Sequence, residues 1–233
     1  MVAAGGDGTV ADVINEMPAS VPLATLPVGN ENLFAQEFGF SSGGEWLARV
    51  IADGRTRRID LGRAGGRLFS LMLSVGFDAE VVHRVARWRS SGDALKRVNR
   101  LSYAKPILGA IRSYSYHAVD LVADAIRVRG THALVFNLPR YGFHLPFAPD
   151  ATADDGLLDW VVFERPGLAA LASYMIALML GRHRTRRDVY HGRARRIRIE
   201  GPAPVPVQMD GDPGGSTPVQ IEVMPQALTV LVT

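Results

Sequence analysis

The side chains best able to do chemistry fall into a few short clusters. The first is Gly5-Gly6-Asp7-Gly8-Thr9, between an apolar run and a helix-like segment. Glycines at such a junction let the backbone approach phosphate, and the helix start supplies N–H donors and a positive dipole. Thr9 suits an N-cap or a hydroxyl ligand of the same phosphate. Asp7 would repel an anion, so its presence makes sense if it holds a magnesium ion or a ribose hydroxyl. No Gly-Lys-Ser/Thr follows, which removes the P-loop. The looser dinucleotide pattern also fits, as Gly6-x-Gly8-x-x-Ala11 with Glu31 as a ribose ligand. On this loop alone the nucleotide-kinase and dinucleotide readings stand level, with a plain structural turn behind them.

Three further clusters follow. Pro27-Val28-Gly29-Asn30-Glu31-Asn32 reads as a strand-to-helix turn or as the edge of a nucleotide cleft. Asp154-Asp155-Gly156-Leu157-Leu158-Asp159, with Asp150 just before, is an acidic turn whose oxygens could take a hard cation. Gln208-Met209-Asp210-Gly211-Asp212 sets two carboxylates on a tight turn, where one could accept a proton while the other orients a hydroxyl or a metal. Each has a bland reading as an ordinary turn. The run Arg182 to Arg198 holds eight arginines against the single acid Asp188. It reads as a solvated face or a contact for anionic lipid headgroups before nucleic acid, because few aromatics interleave with it. The six histidines lack metal-ligand spacing, and the absence of cysteine excludes disulfides, zinc-thiolate sites and thiol catalysis.

The elements that must position these groups change character along the chain. Val2–Ala4 and Leu23–Leu26 read as buried strands; Thr9–Met17, Asn32–Phe38 and Gly44–Ala52 read as helices. That alternation is the grammar of an α/β sheet. From Arg58 onward strands dominate: 58–61, 67–75, 118–128, 133–137, 158–163, 195–200, 205–208, 219–223 and 229–232. Helices are expected at Ala79–Trp88, Leu101–Tyr114 and Leu168–Leu180. The boundary falls near residue 57. The division expected is a partial α/β domain at 1–57, a β-sandwich at 58–224, and a last strand at 225–233 that returns to the first part. The chain has 233 residues, 47% of them apolar, and a net charge of +3, the balance of a soluble globular protein. Its longest apolar stretch, Leu168 to Leu180, is too short to span a bilayer, so no transmembrane segment is expected.

The order of the motifs is more specific than any one of them. Gly-Gly-Asp-Gly-Thr, Pro-x-Gly-x-x-Asn, Gly76-Phe77-Asp78-Ala79, Asp-Asp-Gly-Leu-Leu-Asp and Asp-Gly-Asp together resemble the catalytic region of diacylglycerol-kinase-like lipid kinases. That family includes bacterial diacylglycerol, sphingosine and ceramide kinases, and the resemblance covers essentially the whole chain. It implies an NAD kinase-like α/β nucleotide domain, N-terminally incomplete here, followed by a mainly β sandwich with the lipid cleft. It implies ATP and Mg2+ as cofactors and a lipid substrate at a membrane surface as partner. Gly5, Gly6, Asp7, Gly8, Thr9, Gly29 and Asn30 would line the nucleotide; Asp155, with Thr152 and Leu157, would hold a structural magnesium; Asp210 and Asp212 would be the catalytic acidic pair.

Two positions depart from the family pattern: Asn30 stands for threonine, and Asp212 for glutamate. The family also places a strand, a helix and another nucleotide-contacting loop ahead of the glycine loop, where this chain has four residues, so a shortened start is expected. The expected activity is phosphorylation of a diacylglycerol-like hydroxyl. The alternatives are a sphingoid-base or ceramide kinase, a non-catalytic lipid- or nucleotide-binding remnant, and a dinucleotide oxidoreductase. The expected location is cytoplasmic, with peripheral contact at the inner membrane as an option; a homodimer stays open, and no nucleic-acid partner is expected.

Overall fold

The structure is a computed structural model that describes residues 1–90, 109 and 113–232. Its first part is a small βαβ unit. Strand β1 (Val2–Gly5) lies parallel to β2 (Ala24–Pro27), and helix α1 (Asp7–Glu16) crosses between them. Val10, Ala11 and Ile14 form the buried face of α1, at the spacing a helix needs to keep one side apolar. Helices α2 (Leu33–Glu37) and α3 (Gly44–Asp53) follow.

The second part is a sandwich of two six-stranded antiparallel sheets. One sheet has the order β10-β9-β8-β5-β12-β13 and the other β4-β3-β14-β11-β6-β7. The strands are β3 (Thr56–Ala64), β4 (Arg67–Phe69), β5 (Met72–Val75), β6 (Val119–Ala123), β7 (Ile126–Gly130), β8 (His132–Phe136), β9 (Leu158–Phe163), β10 (Val189–Ala194), β11 (Arg196–Glu200), β12 (Pro206–Met209), β13 (Asp212–Ser216) and β14 (Val219–Leu231). Helix α4 (Phe77–Ser90) follows β5, and α5 (Leu168–Met179) follows β9. The fold class expected from the sequence is the one found.

Strand β9 shows how the layers are built. All six of its residues are buried, yet alternation sends them two ways. Leu158, Trp160 and Val162 join Leu73, Val135 and Val207 between the two sheets, while Val161 and Phe163 face a second core shared with Phe34, Tyr174 and Leu178. One sheet is therefore covered on both faces. The last strand links the parts: Leu23 donates its N–H to Thr229 O and accepts from the Leu231 N–H, both at 2.8 Å.

Several boundaries differ from the expected ones, with physical reasons. The run 67–75 is two strands in different sheets, because the amides of Ser70, Leu71 and Met72 turn away to a buried carboxylate. The run 118–128 is a hairpin turning at Asp124, whose φ is 51°. The segments 219–223 and 229–232 are one strand with an irregularity between Met224 and Leu228, where the Gln226 N–H leaves the ladder for Asp60 Oδ1. Strands β10 and β13 were hidden, the first in the arginine run and the second behind Pro213 and two glycines. The expected helix Leu101–Tyr114 lies largely outside the described residues.

Gly62 faces Phe69 across the β3–β4 hairpin, and a Cβ there would fall inside the Phe69 ring, which has no exposed surface. Gly62→Ala should therefore cost about 1–3 kcal/mol by overpacking. It should lower the urea midpoint while leaving the m-value unchanged.

Candidate active site

The glycine loop and the second turn meet backbone to backbone. Gly5 ends β1, Gly6 is the N-cap of α1, and Asp7, Gly8 and Thr9 form its first turn. Among the described residues no side-chain hydrogen bond caps that helix start, which leaves its leading amides open to a ligand. Gly29 and Asn30 lie in the turn between β2 and α2. A Cβ on Gly29 would overlap the Cα of Gly6, so only glycine allows this approach. Asp7 clamps the two turns together: its Oδ2 accepts the Leu33 N–H at 3.0 Å and its Oδ1 the Phe34 N–H at 2.9 Å. A residue suspected of repelling phosphate thus caps the neighbouring helix. Asn32 closes the turn by exchanging hydrogen bonds with the Gly29 N–H and C=O, both at 3.0 Å.

Beside these turns opens a cavity of about 530 Å³. Asp7, Asn30 and Glu31 line it, and so do Asp210 and Gly211. Much of the remaining wall is apolar, from Val81, Leu134, Leu171 and Met175 among others. Residues from three separate motifs, Asp7, Asn30 and Asp210, thus share one space. Asp212 is outside the lining, with its carboxylate 3.1 Å from Arg67. Glu31 bridges the turn to the cavity rim by accepting the Phe143 N–H.

Asp210 is almost fully buried and adopts a left-handed φ of 51° at the β12–β13 turn. Oδ1 accepts the Leu71 and Met72 N–H groups, both at 2.9 Å; Oδ2 accepts the Ser70 N–H at 2.7 Å and the Ser70 hydroxyl at 3.1 Å. Burial pushes its pKa up to about 6, against the opposing pull of those four donors.

Sequence reasoning assigned no role to a polar wall next to it. Asp78, half-buried, receives the Ser74 hydroxyl at 2.6 Å and the Gln208 amide at 3.1 Å. Burial, outweighing those two hydrogen bonds, raises its pKa. Gln208 also accepts the Gly211 N–H at 2.8 Å and so ties the Asp78 and Asp210 turns together. His132 is 5% exposed, and burial lowers it to about 4, so it is neutral at pH 7. The Thr131 hydroxyl donates to Arg165 O, which leaves its oxygen to accept from His132 Nδ1. His132 Nε2 then carries a buried lone pair, without a protein partner, in a residue that lines the cavity. The signal available in the sequence was Gly76-Phe77-Asp78-Ala79, present as a motif but silent about chemistry; nothing marked His132.

The acidic loop ahead of β9 lies apart from the cavity. Asp155 Oδ1 accepts the Leu157 N–H at 3.0 Å, while Oδ2 faces Arg193 at 3.2 Å. Arg193 also reaches Asp159, Arg57 pairs with Asp154, and Arg184 with Asp150. Buried Asp60 pins the loop through the Gly156 N–H at 2.7 Å. Guanidinium groups already neutralise the oxygens a hard cation would need. Among the described residues, no three carboxylate or imidazole side chains converge as a metal site. At the position expected to hold magnesium with Thr152 and Leu157, Asp155 is paired with Arg193, so a cation there would have to displace that guanidinium.

Known proteins share the fold and both of its parts. Residues 1–64 match the diacylglycerol kinase catalytic domain, and residues 72–232 match the YegS C-terminal NAD kinase beta sandwich-like domain. A diacylglycerol kinase of Mycobacterium tuberculosis is 29% identical over 238 residues, covering 97% of this chain and 74% of that protein. The crystal structure of a diacylglycerol kinase from Bacillus anthracis superimposes with a TM-score of 0.68 at 20% identity, over 100% of this chain and 75% of that one. An NAD kinase from Archaeoglobus fulgidus, solved in complex with ATP, gives a TM-score of 0.52 at 14% identity, over 99% of this chain and 76% of that one. The two structural likenesses speak for the fold, and the two matched domains run in succession along it. The chain belongs to the diacylglycerol kinase-like family of lipid kinases.

Proposed function

We propose that this chain transfers the γ-phosphoryl group of magnesium-bound ATP to a hydroxyl of a diacylglycerol-like lipid at a membrane surface. One observation carries the reading. A single cavity, large enough for part of an acylated glycerol, is lined by Asp7, Asn30 and Glu31 from the two turns, by many apolar side chains, and by Asp210. In this reading residues 1–57 serve the nucleotide and residues 58–224 the lipid. The strand from 225 onward ties the two parts together.

The roles follow from what each group can reach. The uncapped first turn of α1, with Gly5 to Thr9, and the turn at Gly29 and Asn30 would receive the ATP phosphates. Asp7, besides clamping the turns, would face the magnesium that travels with the nucleotide. Catalysis of this kind rests mostly on positioning and charge neutralisation. A carboxylate helps by accepting the proton of the attacking hydroxyl, and does so best when its acidity lies near the working pH. Asp210, raised to about 6, meets that condition. Asp212, paired with Arg67, would hold the turn that presents it. Ser74, Asp78 and the Nε2 lone pair of His132 would hold the polar end of the acceptor. An ATP assay with labelled γ-phosphate on a panel of diacylglycerol, sphingosine and ceramide tests the reading. Label should enter the diacylglycerol product; label only in a sphingoid product would reassign the acceptor, and label in no lipid would defeat the proposal.

Two variants probe the parts separately. Gly29→Ala should push the two turns apart and raise the KM for ATP at least about tenfold through lost positioning. The KM for lipid should stay near wild type. For the proposed base, only the ionised carboxylate accepts a proton. With Asp210 near 6 instead of 3.8, kcat should rise with pH by about tenfold per unit below pH 6 and level off above it. Asp212→Asn should keep that limb of the profile, and folded Asp210→Asn should lose it.

A further inference from the structure

The connection from β8 to β9 begins with a small hairpin whose tip is strained. Tyr141 and Leu145 exchange N–H···O bonds, both at 3.1 Å. Between them Gly142, Phe143 and His144 all adopt left-handed backbone, with φ of 45°, 58° and 61°. Two of the three carry side chains that disfavour that region, so the tip keeps its shape only where neighbours fix it.

The base of the hairpin is well fixed. Ala148 donates its N–H to Pro139 O at 3.2 Å, and Phe147 stacks on Phe136 with ring centres 5.5 Å apart. The Phe147 carbonyl lies 2.9 Å from His183 Nε2. The tip is reached from the other part of the chain: both carboxylate oxygens of Glu31 accept the Phe143 N–H, at 3.1 and 3.2 Å. Glu31 belongs to the turn between β2 and α2. There its own carbonyl accepts the Gln36 side-chain amide at 2.6 Å, and Asn32 locks Gly29. A carboxylate on a firm turn of the first part therefore holds a strained tip of the second.

Placement gives that bond a use. Glu31 lines the cavity, and so do Tyr141, Gly142, Phe143 and Leu145 from the hairpin. Phe143 is nonetheless 59% exposed, so it stands where the cavity meets solvent. Glu31 directly follows Asn30, one of the two residues assigned above to the ATP phosphates. Magnesium-bound ATP keeps a net negative charge, and an anion so close to a carboxylate repels it.

We propose that Glu31 is a latch. It holds the 141–145 hairpin at the cavity mouth until triphosphate on the neighbouring turn displaces its carboxylate, and the freed hairpin then admits the acceptor lipid. This device rests on the nucleotide and lipid reading above and adds an order of events, nucleotide first and acceptor second. Reciprocity then makes the bound lipid favour nucleotide. Glu31 acts through Phe143, which makes it a positioning residue.

Hydrogen exchange of the full chain, read on the peptide spanning 139–147, follows the latch directly. In wild type, inorganic triphosphate or a magnesium-bound non-hydrolysable ATP analogue should speed exchange there at least about fivefold, and adenosine should not. Glu31→Gln keeps an oxygen for the Phe143 N–H but carries no charge. Its hairpin should stay protected and ignore triphosphate. Glu31→Ala should exchange fast without ligand and gain nothing from one. In calorimetric titration, wild type should bind short-chain diacylglycerol at least about fivefold more tightly with the analogue present, and Glu31→Ala equally in both conditions.

A wild-type hairpin that triphosphate leaves unchanged or slows would overturn the proposal. So would a Glu31→Gln response equal to that of wild type. Label entering lipid while the hairpin ignores triphosphate sinks the latch alone. A hairpin released by triphosphate, with label in no lipid, upholds the latch and sinks the kinase reading.

Discussion

The buried carboxylate of Asp210 is the constraint on which the site depends. Three successive amides and one hydroxyl, from Ser70 to Met72, converge on its two oxygens. That convergence breaks what would be one long strand into β4 and β5 and sends them to opposite sheets. It fixes the β12–β13 turn against the same corner, and the cavity opens beside it. Removing the acceptor would strand several buried donors, each unsatisfied group costing about 1–3 kcal/mol. A group with so much structural duty can also serve chemistry, because burial that stiffens the corner raises its pKa toward the working range. In the proposed mechanism the two duties coincide in one residue.

The paired glycine turns show a similar economy. Asp7 looks misplaced in a phosphate loop until its partners are seen: it caps α2 and so holds the second turn against the first. Gly6 and Gly29 then touch through their backbones, which fixes the width of the cleft. Gln208 plays the corresponding part at the Asp210 corner, between Asp78 and Gly211. Elsewhere arginine substitutes for what a divalent cation could supply. The loop of Asp150, Asp154, Asp155 and Asp159 is neutralised by Arg57, Arg184 and Arg193, which gives the arginine-rich composition a structural use at this one place. Most of these pairs are partly exposed, so their individual contribution is small and their effect is chiefly orientation.

Much of the architecture was legible because periodicity reports burial. The βαβ opening, strand β9 and helices α1, α3 and α5 lie within a few residues of where the apolar spacing put them. What failed was decided by contacts distant in sequence. The break at Ser70 depends on Asp210, the irregularity near Gln226 depends on Asp60, and neither leaves a local mark. Strand β13 contradicts local propensity, with Pro213, Gly214 and Gly215 in five residues; pairing with β12 overrides it. Among site residues, the glycine turns and Asp210 were visible as motifs. His132 was not, because a histidine in an apolar strand looks like any other until the hydrogen bond at Nδ1 and the bare Nε2 are both seen. The ion pairs of the acidic loop were not legible, since the arginines that neutralise it come from β3, β10 and the segment between α5 and β10.

The central claim is that one cavity receives nucleotide and lipid together. Calorimetric titration of a non-hydrolysable ATP analogue with magnesium, in the absence and presence of saturating short-chain diacylglycerol, tests it most directly. The account predicts a ternary complex: the analogue binds with unchanged stoichiometry and with equal or higher affinity when the lipid is present. Mutual exclusion of the two ligands, or analogue binding that survives Gly29→Ala unaltered, would contradict it.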